Sequence, residues 1–163
     1  VAFLIQVFNS HPIENVRPVE VLAAITESNY VTLCAQYGLD PALIPATKAQ
    51  LQVLAAPPSA RAPFFTVSYG AARPVVVELR GWDSTDADRL APLPKAAKPA
   101  LSRTAQVVSV SLEPEQLQDL GLLLGYELAR WAAVQGQGIM RALDGRWYRL
   151  NAYKAFLPLE TTS

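Results

Sequence analysis

Apolar and polar positions alternate most cleanly over Thr104–Leu112. Val108, Val110 and Leu112 fall on one side of an extended chain, with Ser109 and Ser111 on the other. A period of two predicts a half-buried strand. The same pattern recurs in Phe64–Tyr69 and Val75–Arg80, which are joined by Gly70-Ala71-Ala72-Arg73-Pro74 and predict a hairpin. There Val75, Val77 and Leu79 share one face, and Glu78 and Arg80 the other. The apolar run from Ala2 to Phe8, closed by Asn9-Ser10-His11-Pro12, predicts a buried first strand ending in a turn. Near the end of the chain, Ile139–Leu143 and Arg146–Leu150 flank Asp144-Gly145, a strong hairpin signal. A two-residue turn sets Leu143 opposite Arg146, Ala142 opposite Trp147 and Arg141 opposite Tyr148. One face then carries Arg141, Leu143, Arg146 and Tyr148, and the other Met140, Ala142, Trp147 and Arg149.

A different period governs the segment after Glu113-Pro114-Glu115. Leu117, Leu120, Leu124, Leu128 and Trp131 recur at steps of three and four, predicting a helix over 115–135. Gln116, Asp119, Glu127 and Arg130 sit mostly opposite them. Gly121 and Gly125 predict a close approach of this helix to a sheet, and Gly136 and Gly138 its end. Pro18–Thr26 predicts a second helix, with Pro18 in the first turn. Residues 30–37 fit either strand or helix, and Gly38 suits a helix end. Thr47–Leu54 fits a short helix with Leu51 and Leu54 inward, followed by an exposed connector over Ala55–Ala62. Ser84 or Thr85 suits the N-cap of a short helix. Ala91–Ala100, with Pro92, Pro94, Pro99, Lys95 and Lys98, predicts a Pro/Lys-rich surface loop. Together these elements predict one α+β domain over residues 1–163. Its mixed or antiparallel sheet has about five to six strands, and the long helix packs across one face, an arrangement compatible with a ferredoxin-like fold.

Composition narrows the function classes. The 163 residues carry a formal net charge of +0, with 51% hydrophobic and 17% charged positions. That apolar content excludes an intrinsically disordered chain. The balanced charge argues against a protein built mainly to hold nucleic acid by electrostatics. The balance is uneven along the chain: residues 1–90 hold six basic and eight acidic groups, and residues 91–163 hold eight and six. The opening apolar run is too short to span a bilayer and lacks the flanks of a signal peptide, so a soluble, cytoplasmic protein is expected.

The candidate chemistry is sparse. His11 is the single histidine, so no His-based metal motif exists, and it reads as a turn residue beside Ser10. Cys34 is the single cysteine and reads as a small buried hydrophobe. Asp83, Asp86 and Asp88 lack calcium-loop spacing, and acidic residues ahead of a helix suit capping. Gly136-Gln137-Gly138 lacks the third glycine and following helix of a phosphate loop. No cofactor and no metal are predicted. The densest cationic and aromatic group is Arg141, Arg146, Trp147, Tyr148 and Arg149, followed by Tyr153 and Lys154. Arg and aromatic residues are enriched at binding hot spots.

The pattern of residues 115–150, a long helix closed by Gly-x-Gly and followed by a hairpin with an exposed Trp, resembles the closing segment of several bacterial families. Some of those neutralise toxins as immunity proteins. The sparse chemistry and the Arg/aromatic patch point to a non-catalytic binding protein with a protein partner, and the resemblance implies that it is of inhibitor or immunity type. The expected contact residues are Arg141, Arg146, Trp147, Tyr148 and Arg149, joined by Trp82. Two other classes remain open. One is a small-molecule enzyme or ligand-binding domain using His11, Asp83 and Glu127, recognisable by a pocket of about 300–1,000 Å³. The other is a single-stranded nucleic-acid binder, whose affinity would collapse with salt.

Overall fold

The computed structural model describes residues 3–28, 30–43, 51–56, 64–70, 73–90 and 93–159. Its strands are β1 (Phe3–Asn9), β2 (Leu51–Ala55), β3 (Phe64–Tyr69), β4 (Val75–Gly81), β5 (Gln106–Leu112), β6 (Ile139–Arg141), β7 (Trp147–Leu150) and β8 (Phe156–Pro158). They form one open eight-stranded sheet in the order β2-β3-β4-β5-β1-β6-β7-β8, every neighbouring pair antiparallel. The helices are α1 (Pro18–Thr26), α2 (Tyr30–Tyr37), α3 (Lys98–Ser102) and α4 (Leu120–Gly136). The α+β class and the β3–β4 hairpin emerge as the alternation predicts, and residues 30–37 resolve as helix.

The strand count exceeds the expected five to six because two edge strands carry weak patterns. β2 occupies positions read as the end of a short helix. Leu51 is buried and Leu54 is 57% exposed, so they do not share an inward face. The earlier part of that expected helix, 47–50, and most of the Ala55–Ala62 connector lie outside the described residues. β8 ends on Pro158, as an edge strand tolerates. A ferredoxin-like order is not what forms. β1 does lie between the strands on either side of α4, but three strands separate it from β2 where a split βαβ unit has one.

Two layers of packing follow from strand alternation. On one face Ile5, Val7, Phe65, Val67, Val77, Val108, Val110 and Leu112 form the main core under α1, α2 and α4. Gly125 lets α4 settle on the sheet, since a Cβ there would lie 3.1 Å from a Leu112 methyl and 3.2 Å from one of Ile5. The expected 115–135 helix is divided. Pro114–Gln118 is a 3₁₀ turn, Asp119 is extended, and the α-helix begins at Leu120. Asp119 makes the break by capping: its Oδ1 accepts from the Gly121 N–H at 2.7 Å and from the Tyr69 hydroxyl at 2.8 Å. That second bond pins the start of α4 to β3. Burial, and then the Asp119 carboxylate, raise the Tyr69 phenol above its ordinary range.

A smaller cluster forms on the opposite face. Phe8, Val107, Ile139 and Trp147 are covered by Ala97 and Leu101, with Trp82, Leu90 and Leu93 at its rim. Residues 93–100 are therefore not the extended surface loop expected from their prolines: Lys95–Ala97 is a 3₁₀ turn running into α3. Pro99 sits in the first turn of α3, where its missing N–H costs nothing. Residues 91 and 92 lie outside the described residues. No described helix is long and apolar enough to cross a membrane.

Candidate functional site

The hairpin at the end of the chain sets the geometry of the expected contact residues, and its register differs from expectation by one residue. Arg141 stands opposite Trp147, and Met140 opposite Tyr148. The cause is the turn. The Gly145 N–H donates to the Ala142 carbonyl at 3.0 Å, and the Ala142 N–H to the Arg146 carbonyl at 2.8 Å. Gly145 takes φ +82. This is a three-residue loop with glycine in the left-handed position rather than a two-residue type I′ turn. A one-residue slip moves every β7 side chain to the other face.

The expected patch is therefore divided. Trp147 is 5% exposed and plugs the smaller core, its ring centroid 5.2 Å from that of Phe8, so it is not the exposed tryptophan expected. Tyr148 turns to the helix-covered face and meets Phe156. Arg146 stays at the turn, exposed, with Asp144 Oδ2 at 3.6 Å. Arg141, opposite Trp147, and Arg149, opposite Leu157, face the side of the sheet away from α4. Trp82 is half-buried beside that face, edge-on to Phe8 at 5.2 Å.

On this open face the register builds a row across six strands: Phe64, Glu78, Ser109, Gln6, Arg141 and Trp147. Beyond the covering segment the face mixes polar and apolar side chains, with Leu4 and Leu157 exposed beside Ser111 and Arg149. Ser109 is buried, yet its Oγ has no hydrogen-bond partner among the described residues, and neither has the buried Arg141 Nε. Buried polar atoms are normally satisfied, so two orphans on one row stand out. In the adjoining row Arg80 leads to Val107, Phe8 and Ile139. A cavity of about 210 Å³ opens there, lined by Gln6, Phe8, Arg80, Trp82, Asp86 and Arg89 among others. Arg80, Arg89 and Asp86 are the charged side chains of this cavity, and Arg141 and Arg149 lie on the same side of the sheet.

The groups of the rival enzymatic reading are not brought together. His11 is exposed at the end of β1, and its backbone N–H donates to the carbonyl of Gly136 at 3.1 Å. The Ser10 hydroxyl does lie 3.1 Å from His11 Nδ1, but it also lies 3.4 Å from the carbonyls of Gly136 and Gln137. No carboxylate among the described residues hydrogen-bonds the other ring nitrogen. Asp83 belongs to the turn after Trp82, where its Oδ1 accepts from the Thr85 N–H at 3.1 Å. It, rather than Ser84 or Thr85, supplies the cap at this turn. Glu127 lies on α4, buried and paired with Arg130. Burial there departs from the expected polar face, because α1 packs alongside α4. Cys34 is fully buried, and burial pushes its thiol up. Among the described residues no three His, Cys, Asp or Glu side chains gather closely enough to hold a metal ion.

The sequence pattern missed Gln6, Ser109 and Arg80 as members of a shared surface. Their signal lay in the polar side of the predicted strands, but only the strand order places them side by side. No protein-family model, curated protein or solved structure matches this chain.

Proposed function

We propose that this chain is a non-catalytic binding protein, of inhibitor or immunity type, that holds an acidic protein partner on the open face of its sheet. The observation that carries this reading is the register that sets Arg141 and, two residues beyond its partner Trp147, the exposed Arg149 on one side of the sheet. Arg80 lies three strands away from Arg141 on the same side, and Trp82 adds a half-buried aromatic edge. Such a face supplies charge-assisted hydrogen bonds to carboxylates, and arginine with aromatic neighbours is the usual composition of a binding hot spot. Arg146 lies beyond it at the hairpin tip, and Trp147 and Tyr148 act as scaffold. The test is affinity capture with the wild-type chain, followed by titration of the recovered partner, once purified, against Arg141→Ala and Arg149→Ala. Each variant is expected to weaken binding by about tenfold or more, and the wild-type affinity to fall with added salt. Unchanged affinity in both variants would remove the open face as the contact surface.

A further inference from the structure

On the helix-covered side a second cavity, of about 330 Å³, lies between the end of α1, the outer side of α4 and the loop joining β7 to β8. Its volume falls within the small-molecule range. Glu27, Glu127, Arg130, Trp131, Val134 and Lys154 are among the side chains lining it. Three features distinguish it from a surface crevice. First, the Glu127 side chain is 5% exposed and ion-paired to Arg130, so a buried carboxylate holds the guanidinium at the cavity wall. The carboxylate is buried while the guanidinium, 36% exposed, stays at the cavity surface. Second, Lys154 is presented by a tightly built loop. Asn151 Oδ1 accepts from the N–H groups of Tyr153 at 2.8 Å and Ala155 at 3.0 Å. Lys154 itself sits at φ 62, a left-handed conformation unusual for lysine. Third, neither Lys154 nor Glu27 forms an ion pair among the described residues, although both are at the cavity.

The charge pattern selects the ligand. Two carboxylates and two cations line the cavity, so a bare anion or a bare cation meets an opposing group for every favourable one. A zwitterion meets complementary charge at both ends, and Ala24, Trp131 and Val134 offer an apolar wall for a side chain. We infer that this cavity is a binding site for a free α-amino acid with an apolar or aromatic side chain. Lys154 and Arg130 face its carboxylate, and Glu27 faces its ammonium. The site is separate from the open sheet face and does not depend on the function proposed for it.

The test is isothermal titration of the protein with free L-amino acids, then with phenethylamine and 3-phenylpropionate, which each keep one charge of phenylalanine. The Trp131 indole N–H resonance, assigned with Trp131→Phe, locates the binding. Saturable binding of an apolar or aromatic amino acid that shifts that resonance is expected, with both single-charge analogues weaker by about tenfold or more. Lys154→Ala and Glu27→Gln, both at exposed positions and folding as wild type, are each expected to weaken it about tenfold. The proposal is overturned if no amino acid binds, if either single-charge analogue binds as well, or if both variants bind as tightly as wild type.

Discussion

The Asn9 side chain occupies the space that a side chain on Gly136 would need. A Cβ at Gly136 would come within 2.6 Å of Asn9 Cβ, and one at Gly138 within 2.7 Å of the Phe8 carbonyl oxygen. Asn9 is fully buried, and its amide donates to the Ala132 carbonyl at 3.2 Å, so it has no room to yield. Gly136→Ala and Gly138→Ala are each expected to destabilise by about 2–3 kcal/mol in urea unfolding. Asn9→Ala combined with Gly136→Ala should cost less than the sum of the two single changes, because the first removes the obstacle to the second. Strict additivity would show that the crowding is not between this pair.

Gln137, between those glycines, closes α4 at φ 54 and ψ 52. A left-handed residue at a helix end is usually glycine, and a side chain there costs about 1 kcal/mol. Gln137→Gly is therefore expected to raise stability by about that amount, read as a higher urea midpoint at unchanged slope. A lower midpoint would mean that the glutamine side chain makes a contribution larger than its backbone strain.

The two residues of the final hairpin that looked alike in sequence should behave oppositely. Trp147→Ala empties the smaller core and is expected to cost about 3–5 kcal/mol. Arg149→Ala, exposed on the open face, should stay within about 0.5 kcal/mol of wild type. Thermal denaturation of both variants checks this. Equal losses would contradict the one-residue register shift.

Alkali should unfold the protein through its buried phenols. Burial, then the neighbouring Tyr126, Glu127 and Tyr148, push Tyr37 from its ordinary 10.0 up to about 12, and Tyr30 and Tyr69 are raised too. The folded state favours the neutral phenol, so this contribution is full below pH 10.0 and is lost as pH rises through about 12. Melting temperatures should hold up to about pH 10 and then fall, and Tyr37→Phe should make the fall shallower. A wild-type slope in the variant would exclude Tyr37 from the alkaline transition.

Local period and caps carried much of the architecture. Val75, Val77 and Leu79, and Val108, Val110 and Leu112, all face the main core as their alternation indicates. Pro18 starts α1 as expected. The failures share a cause: they depend on a partner distant in sequence or on one backbone angle. Leu51–Ala55 has an apolar content that fits helix or strand, and pairing with β3 decides it. Glu127 shows a polar letter at a position that α1 buries. For the candidate surface, Asp144-Gly145 signals a turn, but the left-handed angle falls on Gly145 alone. That one difference sends Tyr148 under the helices and Trp147 into the opposite core. It leaves Arg141, Arg149 and Trp82 as the legible part of the surface.

The central place of β1 has a consequence for how the chain reaches this state. Its seven residues are among the first in the sequence, yet they pair with Gln106–Leu112 and Ile139–Arg141, roughly a hundred or more positions later. β2, β3 and β4 can zip locally as a meander. The strand that joins the two halves of the sheet cannot be held until most of the chain is present. Closing so long a loop before any reward arrives makes assembly slow, and it leaves an apolar segment unpaired during synthesis. A nascent chain stopped short of residue 106 has its early helices and a meander, but no ladder for its first strand.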